Sequence, residues 1–234
     1  GDILAEGTKR AAEKIGHGAI EYAMQIKGQE IPMHEPRGKV GLGIGYATSP
    51  TGADHVHNIH DTTFTVEGRD MDGLKELGIQ EPLPRLELSP AKVRMFQCVA
   101  NWVHFQNCAH SCMFMPFNHS QIMQLVNGAT GWNTTVFELM KVGERALALA
   151  RVFNAREGYT AKDDIIPERF YKAFTSGPLK DKKISKETMR QAIQTYYEMA
   201  GWDLERAIPT AGKLQELDLG WVVEELNKTV IKKK

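Results

Sequence analysis

Histidine, aspartate and cysteine carry most of the chemical reach in this sequence, and they fall in clusters. His55, His57 and His60 spell His-x-His-x-x-His, flanked by Asp54 and Asp61 and closely preceded by Gly52. Imidazoles change charge near neutral pH, so such a group can ligate a metal or exchange a proton with a substrate oxygen. The spacing matches no standard zinc pattern, and a polar loop of solvated histidines reads the same way. Cys108 and Cys112 share a face if their helix is continuous, and Cys98 lies upstream. Three cysteines cannot complete a four-cysteine cluster by themselves. As small apolar side chains they are equally compatible with simple burial, and together with the histidine loop they are compatible with an independent zinc site. Gly41, Gly43 and Gly45 do not form a dinucleotide fingerprint, and neither a phosphate loop nor a nucleophile elbow is present.

Helices must position these residues. The text predicts a helix over 2–15, capped by Asp2 and ended by Gly16 and Gly18. It predicts a short strand or a helical turn over 19–27. From Gln29 to Leu88 it is irregular and rich in Pro, Gly and His, with a glycine-tolerant helix over 40–49; a loop of that length signals function or short helices hidden from the pattern. Ser89-Pro90 opens a helix to about Ala109 with Phe96, Val99 and Val103 in its stripe. Further helices are predicted over 121–126, stopped by Asn127-Gly128, from Thr134 or Thr135 to Phe153, over 186–201 and over 210–227. The expected fold class is mainly α.

The 234 residues are 42% hydrophobic and 25% charged, an ordinary globular balance. Acidic and basic residues match at 29 each, which gives no field to draw the chain to nucleic acid or an anionic membrane. No apolar run is long enough to span a bilayer, and no signal peptide is visible. With few cysteines, the expectation is a cytoplasmic protein. The closing Lys232-Lys233-Lys234 reads as a solvated tail. The text opens directly in helix, as a piece of a longer chain does.

Longer phrases add what spacing leaves open. Glu35-Pro36-Arg37-Gly38 and Gly45-Tyr46-Ala47-Thr48-Ser49-Pro50-Thr51-Gly52-Ala53-Asp54-His55 resemble the signature of the aldehyde:ferredoxin oxidoreductase family. So do Phe153-Asn154-Ala155-Arg156-Glu157-Gly158, Asp163-Asp164, Pro167-Glu168-Arg169-Phe170 and Tyr196-Tyr197-Glu198-Met199-Ala200-Gly201-Trp202-Asp203. The resemblance implies a multi-helical C-terminal region of that type, with residues 1–30 finishing the family's second domain and 31–234 forming its third. It implies an anaerobic enzyme that oxidises aldehydes to carboxylic acids and passes electrons to ferredoxin. Its implied cofactors are a tungsten bis-pterin and a four-iron, four-sulfur cluster, both requiring an N-terminal part of the enzyme.

The family's Asp-x-x-Gly-Leu-Cys motif matches residues 107–112. Cys112 is thereby the implied cluster ligand, and Asn107 and Ser111 stand at pterin-binding positions. Asn107 replaces the motif's aspartate, and His110-Ser111 replaces its Gly-Leu. The implied catalytic histidine, hydrogen-bonding the metal's oxygen ligand or the substrate, is His55, with His57 as the other candidate. Two alternatives stay open. One is the tungsten subunit of a class II benzoyl-CoA reductase, and the other is a non-catalytic helical subunit completing a cofactor-bearing partner. Family members are often homodimers.

Overall fold

The computed structural model describes the backbone of residues 1–232 and the side chains of residues 1–226. Two short helices, α1 (Asp2–Ala5) and α2 (Thr8–Ile15), lead into a 3-10 turn and a hairpin, β1 (Gln25–Ile26) and β2 (Gln29–Glu30). Then follow α3 (Gly41–Thr48), α4 (Arg69–Glu76), α5 (Pro90–Cys108), α6 (His119–Thr130) and α7 (Val136–Arg156). The chain closes with α8 (Lys186–Ala200), α9 (Ala211–Glu216) and α10 (Gly220–Lys232). The antiparallel pair β1–β2 is the one sheet among the described residues. The fold is mainly α, as expected. Among the described residues no helix is long and apolar enough to cross a membrane. The closing lysine tail falls outside the described side chains.

Helix α5 is the axle. It packs against α7, α3 and α8, so it is buried nearly all round: Val93, Phe96, Ala100, Trp102, Val103 and Phe105 are all in the core. A helix enclosed by neighbours has no need of a polar stripe, which is why its sequence pattern is weak. Gly143 lets α7 lie directly on α5, because a Cβ there would overlap the Asn101 carbonyl oxygen. Helices α5 and α7 begin at the caps where the text placed them. The Ser89 hydroxyl accepts from Lys92 N–H at 3.4 Å, and Thr135 and Glu138 form a reciprocal capping box.

Three boundaries differ from expectation. The first helix is broken at Gly7 (φ +88°), and Asp2 lies inside α1 and does not cap it. Helix α6 runs through Asn127-Gly128 to Gly131, whose φ of +74° ends it. Asn127 does not stop the helix; its amide bonds both N–H and C=O of Thr134 and so ties α6 to the start of α7. The expected 210–227 helix splits at Asp218 (φ +59°) into α9 and α10.

The phrases that carried the resemblance lock onto one another. Buried Arg37 pairs with Glu35 at 2.8 Å, donates to the Lys172 carbonyl at 2.9 Å and lies 3.4 Å over the Phe174 ring. Asn154 donates to the Pro50 carbonyl at 2.7 Å. Asp164, inaccessible to solvent, receives Lys27 at 2.7 Å, Arg151 at 2.8 Å and the Tyr197 hydroxyl at 2.5 Å. Two cations and a phenol around one carboxylate satisfy charges that would otherwise be costly to bury. Of these contacts, the Asn154 bond reaches the start of the loop over residues 49–61.

Candidate functional site

Helix α3 and the loop after it place the histidines. Asp61 is fully buried, and its two carboxylate oxygens accept from Gly41 N–H and Leu42 N–H, each at 3.0 Å, at the start of α3. Lys92 of α5, equally buried, donates to Asp61 at 2.9 Å. Asp61 is therefore an anchor and not part of an acid–base cluster with the histidines beside it. Asn58 fills the space over Gly45, where any Cβ would overlap its amide, and donates to the Leu42 carbonyl at 3.0 Å. With Pro50 held by Asn154 at one end and Asn58 and Asp61 held against α3 at the other, the histidines of the loop have defined positions.

The three histidines of the motif do not act as one group. His55 and His60 join His34, whose ring centroid lies 4.8 Å from each of theirs. Lys39 reaches into this trio, its Nζ 3.0 Å from His34 Nδ1 and 2.8 Å from His60 Nδ1. Burial and the Lys39 charge push His60 down to about 4, and burial and Lys39 also lower His34. His57 turns the other way. Its Nδ1 is 2.9 Å from Asp54, and its ring stacks on His104 of α5 at 4.7 Å. Burial raises the Asp54 carboxyl, but hydrogen bonds from His57 and from the Val56 N–H outweigh it and bring it to about 2. Half-buried His104 donates to the Ala100 carbonyl at 2.8 Å, and its partial enclosure lowers it to about 4.

His34, His55 and His60 line one end of a cavity of about 650 Å³ between α4, α5, α6 and the loop over residues 111–118. Its body is largely apolar, with Leu77, Val99, Trp102 and Met113 among its walls. Arg69 fastens the loop by donating to the Pro116 carbonyl at 2.7 Å. Also in the lining, His119 meets Trp102 edge-on at 4.3 Å, and its buried Nδ1 has no hydrogen-bond partner among the described residues. Such a space, apolar with a few convergent polar groups, suits a small organic ligand. His57 does not line it.

The cysteine motif closes α5. His110 takes φ +53°, and Ser111 N–H donates back to the Gln106 carbonyl at 2.9 Å, the bond pattern of a left-handed helix cap. The family's glycine at this position thus has a backbone reason, and His110 fills it with strain. Asn107, exposed, donates its amide to the Val103 carbonyl at 2.8 Å and keeps its carbonyl oxygen as an acceptor. The Ser111 hydroxyl donates to the Gln106 carbonyl at 3.2 Å. Cys108 and Cys112 are exposed and Cys98 half-buried, so general burial of the thiols is not the arrangement found. Cys112 Sγ accepts from Phe114 N–H at 3.4 Å, and the residues directly after it wall the histidine cavity. Among the described residues no three His, Cys, Asp or Glu side chains are grouped to hold a metal, which leaves the zinc alternative without support. Of the two exposed thiols, Cys112 is the one whose following residues wall the cavity.

Sequence reasoning passed over His34, Lys39, His104 and His119. His34 stands directly before the Glu35-Pro36-Arg37-Gly38 phrase, which was the available signal. His104 lies in the middle of α5, next to the apolar stripe by which that helix was read.

Residues 1–219 match the family model described as aldehyde ferredoxin oxidoreductase, domains 2 and 3, and the chain belongs to this family of oxidoreductases. Among its relatives, the tungsten-containing aldehyde ferredoxin oxidoreductases of Pyrococcus furiosus and Pyrococcus horikoshii are each 32% identical over 223 residues. Those alignments cover 94% of this chain and 34% of the relatives, so the chain spans about a third of their length. The WOR-like subunit of an aliphatic sulfonate oxidoreductase from Pyrococcus furiosus is 30% identical across 97% of this chain and 34% of its own length. The active-site complex BamBC of benzoyl coenzyme A reductase, solved with 1,5-dienoyl-CoA, shares the fold. Its TM-score is 0.67 at 22% identity, over 99% of this chain and 38% of that one.

Proposed function

We propose that the chain is the C-terminal part of a tungsten-pterin, iron–sulfur oxidoreductase that oxidises aldehydes to carboxylic acids. The observation that carries this reading is the shared cavity: His55 and the loop that follows Cys112, far apart in sequence, wall the same space. In the net reaction an aldehyde and water become a carboxylic acid, two electrons and two protons. When bound, the tungsten-pterin group and the cluster would supply the two-electron redox chemistry, with ferredoxin as the electron acceptor.

The chain's own residues bind, orient and move protons. The apolar walls hold the body of the aldehyde and exclude bulk water. His55 faces the carbonyl end, donating to its oxygen or taking up a released proton. His57, held by Asp54 and stacked on His104, supports the loop that carries His55. Cys112 would supply one thiolate to the cluster, and Asn107 and Ser111 would offer oxygen acceptors to the pterin. The remaining ligands come from an N-terminal part of the same enzyme, so the 234-residue piece alone is inactive. The test is anaerobic reduction of ferredoxin or a dye by an aldehyde. The complete protein turns over and the isolated piece does not; turnover by the isolated piece contradicts the assignment.

A further inference from the structure

Behind the histidines that line the cavity lies a cation that the proposed mechanism does not use. Lys39 sits behind the histidines, with its Nζ in hydrogen-bond reach of Nδ1 on both His34 and His60. An ammonium group has three hydrogens and no lone pair. Both Nδ1 atoms must therefore accept, which leaves each neutral ring with its hydrogen on Nε2. A second contact gives the same answer from the opposite side of His60, whose Nε2 is 3.2 Å from the His55 carbonyl oxygen. That oxygen is an acceptor, so Nε2 must be the donor. His34 differs from His60 in one respect: its Nε2 has no acceptor among the described residues, while its ring lines the cavity. The His34 backbone is itself held, by the Tyr46 hydroxyl donating to its carbonyl at 3.1 Å.

We infer that Lys39 is a positioning residue that fixes His34 and His60 as neutral Nε2–H tautomers, making His34 a hydrogen-bond donor to an oxygen of an uncharged ligand in the cavity. The groups facing the trio are His55 and Lys39. Behind Lys39 lies Asp61, whose charge is engaged by Lys92. The cation keeps the two rings from charging, because a proton on either Nδ1 would face an ammonium at contact distance. A carbonyl compound meets a donor there, whereas a cationic ligand meets repulsion. The identity of the ligand as an aldehyde rests on the proposed function; the tautomer does not.

The test is nitrogen-15 NMR of the complete protein labelled at histidine, with His34→Gln and His60→Gln variants to assign the signals. Both rings are expected to show a hydrogen-bearing Nε2 and a bare Nδ1 at pH 7, and to stay neutral well below the ordinary histidine range. Lys39→Met should release the constraint, so that both rings mix tautomers and take up protons at higher pH. Hydrogen on Nδ1 of His34 or His60 in the unsubstituted protein overturns the inference, and so does an unchanged tautomer and titration in Lys39→Met. The first of these readings needs no variant to fold. If the proposed function were wrong, the complete protein would not oxidise aldehydes while the tautomer pattern remained.

Discussion

Replacing Asp61 with alanine removes three interactions at one buried point: two N–H bonds at the start of α3 and the ion pair to Lys92. Neither Asp61 nor Lys92 has any exposed side-chain surface, so water cannot replace the lost carboxylate. Breaking a buried pair from one side costs about 3–5 kcal/mol, mostly from the charge left behind, and losing a helix N-terminal cap costs about 1 kcal/mol. The expected loss for Asp61→Ala is thus about 4 kcal/mol, a large share of a domain stability of about 5–15 kcal/mol. Lys92→Met should cost less, about 2 kcal/mol, because Asp61 keeps its two N–H donors and the positive end of α3. The double variant should cost less than the sum, with a coupling of at least about 1 kcal/mol. Urea unfolding followed by circular dichroism measures all three, and an unchanged slope shows that the unfolded state is the same. A loss under about 1 kcal/mol for Asp61→Ala, or strict additivity, refutes the reasoning that this pair anchors the histidine loop.

His104 folds neutral, lowered to about 4 by burial, whereas the unfolded chain protonates it near 6.5. Between those values the unfolded state holds the extra proton, so stability must fall as pH drops from about 6.5 to about 4; stability measured against pH should flatten in His104→Gln. His110→Gly relieves the left-handed strain at φ +53° and should stabilise the chain by up to about 1 kcal/mol, read as a higher urea midpoint. Cys112→Ala in the complete protein should lower iron content and bleach cluster absorbance while tungsten content and secondary structure persist; full iron retention removes Cys112 from the ligand set.

The helices with strong caps were readable because capping is local chemistry. Ser89-Pro90 and Thr135 with Glu138 act within four residues of themselves. The stretch from Gln29 to Leu88 hid α4, whereas α3 was legible over 40–49 although the groups that hold it are distant in sequence. Helix α3 depends on Asp61, Lys92 and Asn58 for its N-terminus and its glycine-lined face, and none of these is encoded by periodicity within it. The same distance effect shaped the site. His55, His57 and His60 looked like one cluster in the text, but alternate residues on a bent loop face different neighbours. His57 went to Asp54 and His104, and His60 and His55 went to His34. The Glu35-Pro36-Arg37-Gly38 phrase marked the right segment. Its role, clamping residues 169–174 so that His34 and Lys39 are presented on either side, needed three-dimensional contacts to be seen.

The most direct test of the proposed function is steady-state aldehyde oxidation by the complete protein, prepared without oxygen, compared with His55→Gln and His57→Gln at matched iron and tungsten content. A positioned acid–base group is worth about 10²–10⁴-fold in rate. The account predicts a fall of that order in kcat for His55→Gln and a smaller one for His57→Gln, which acts only through the loop. Unchanged kcat in His55→Gln, or no aldehyde oxidation by the unsubstituted protein, contradicts it.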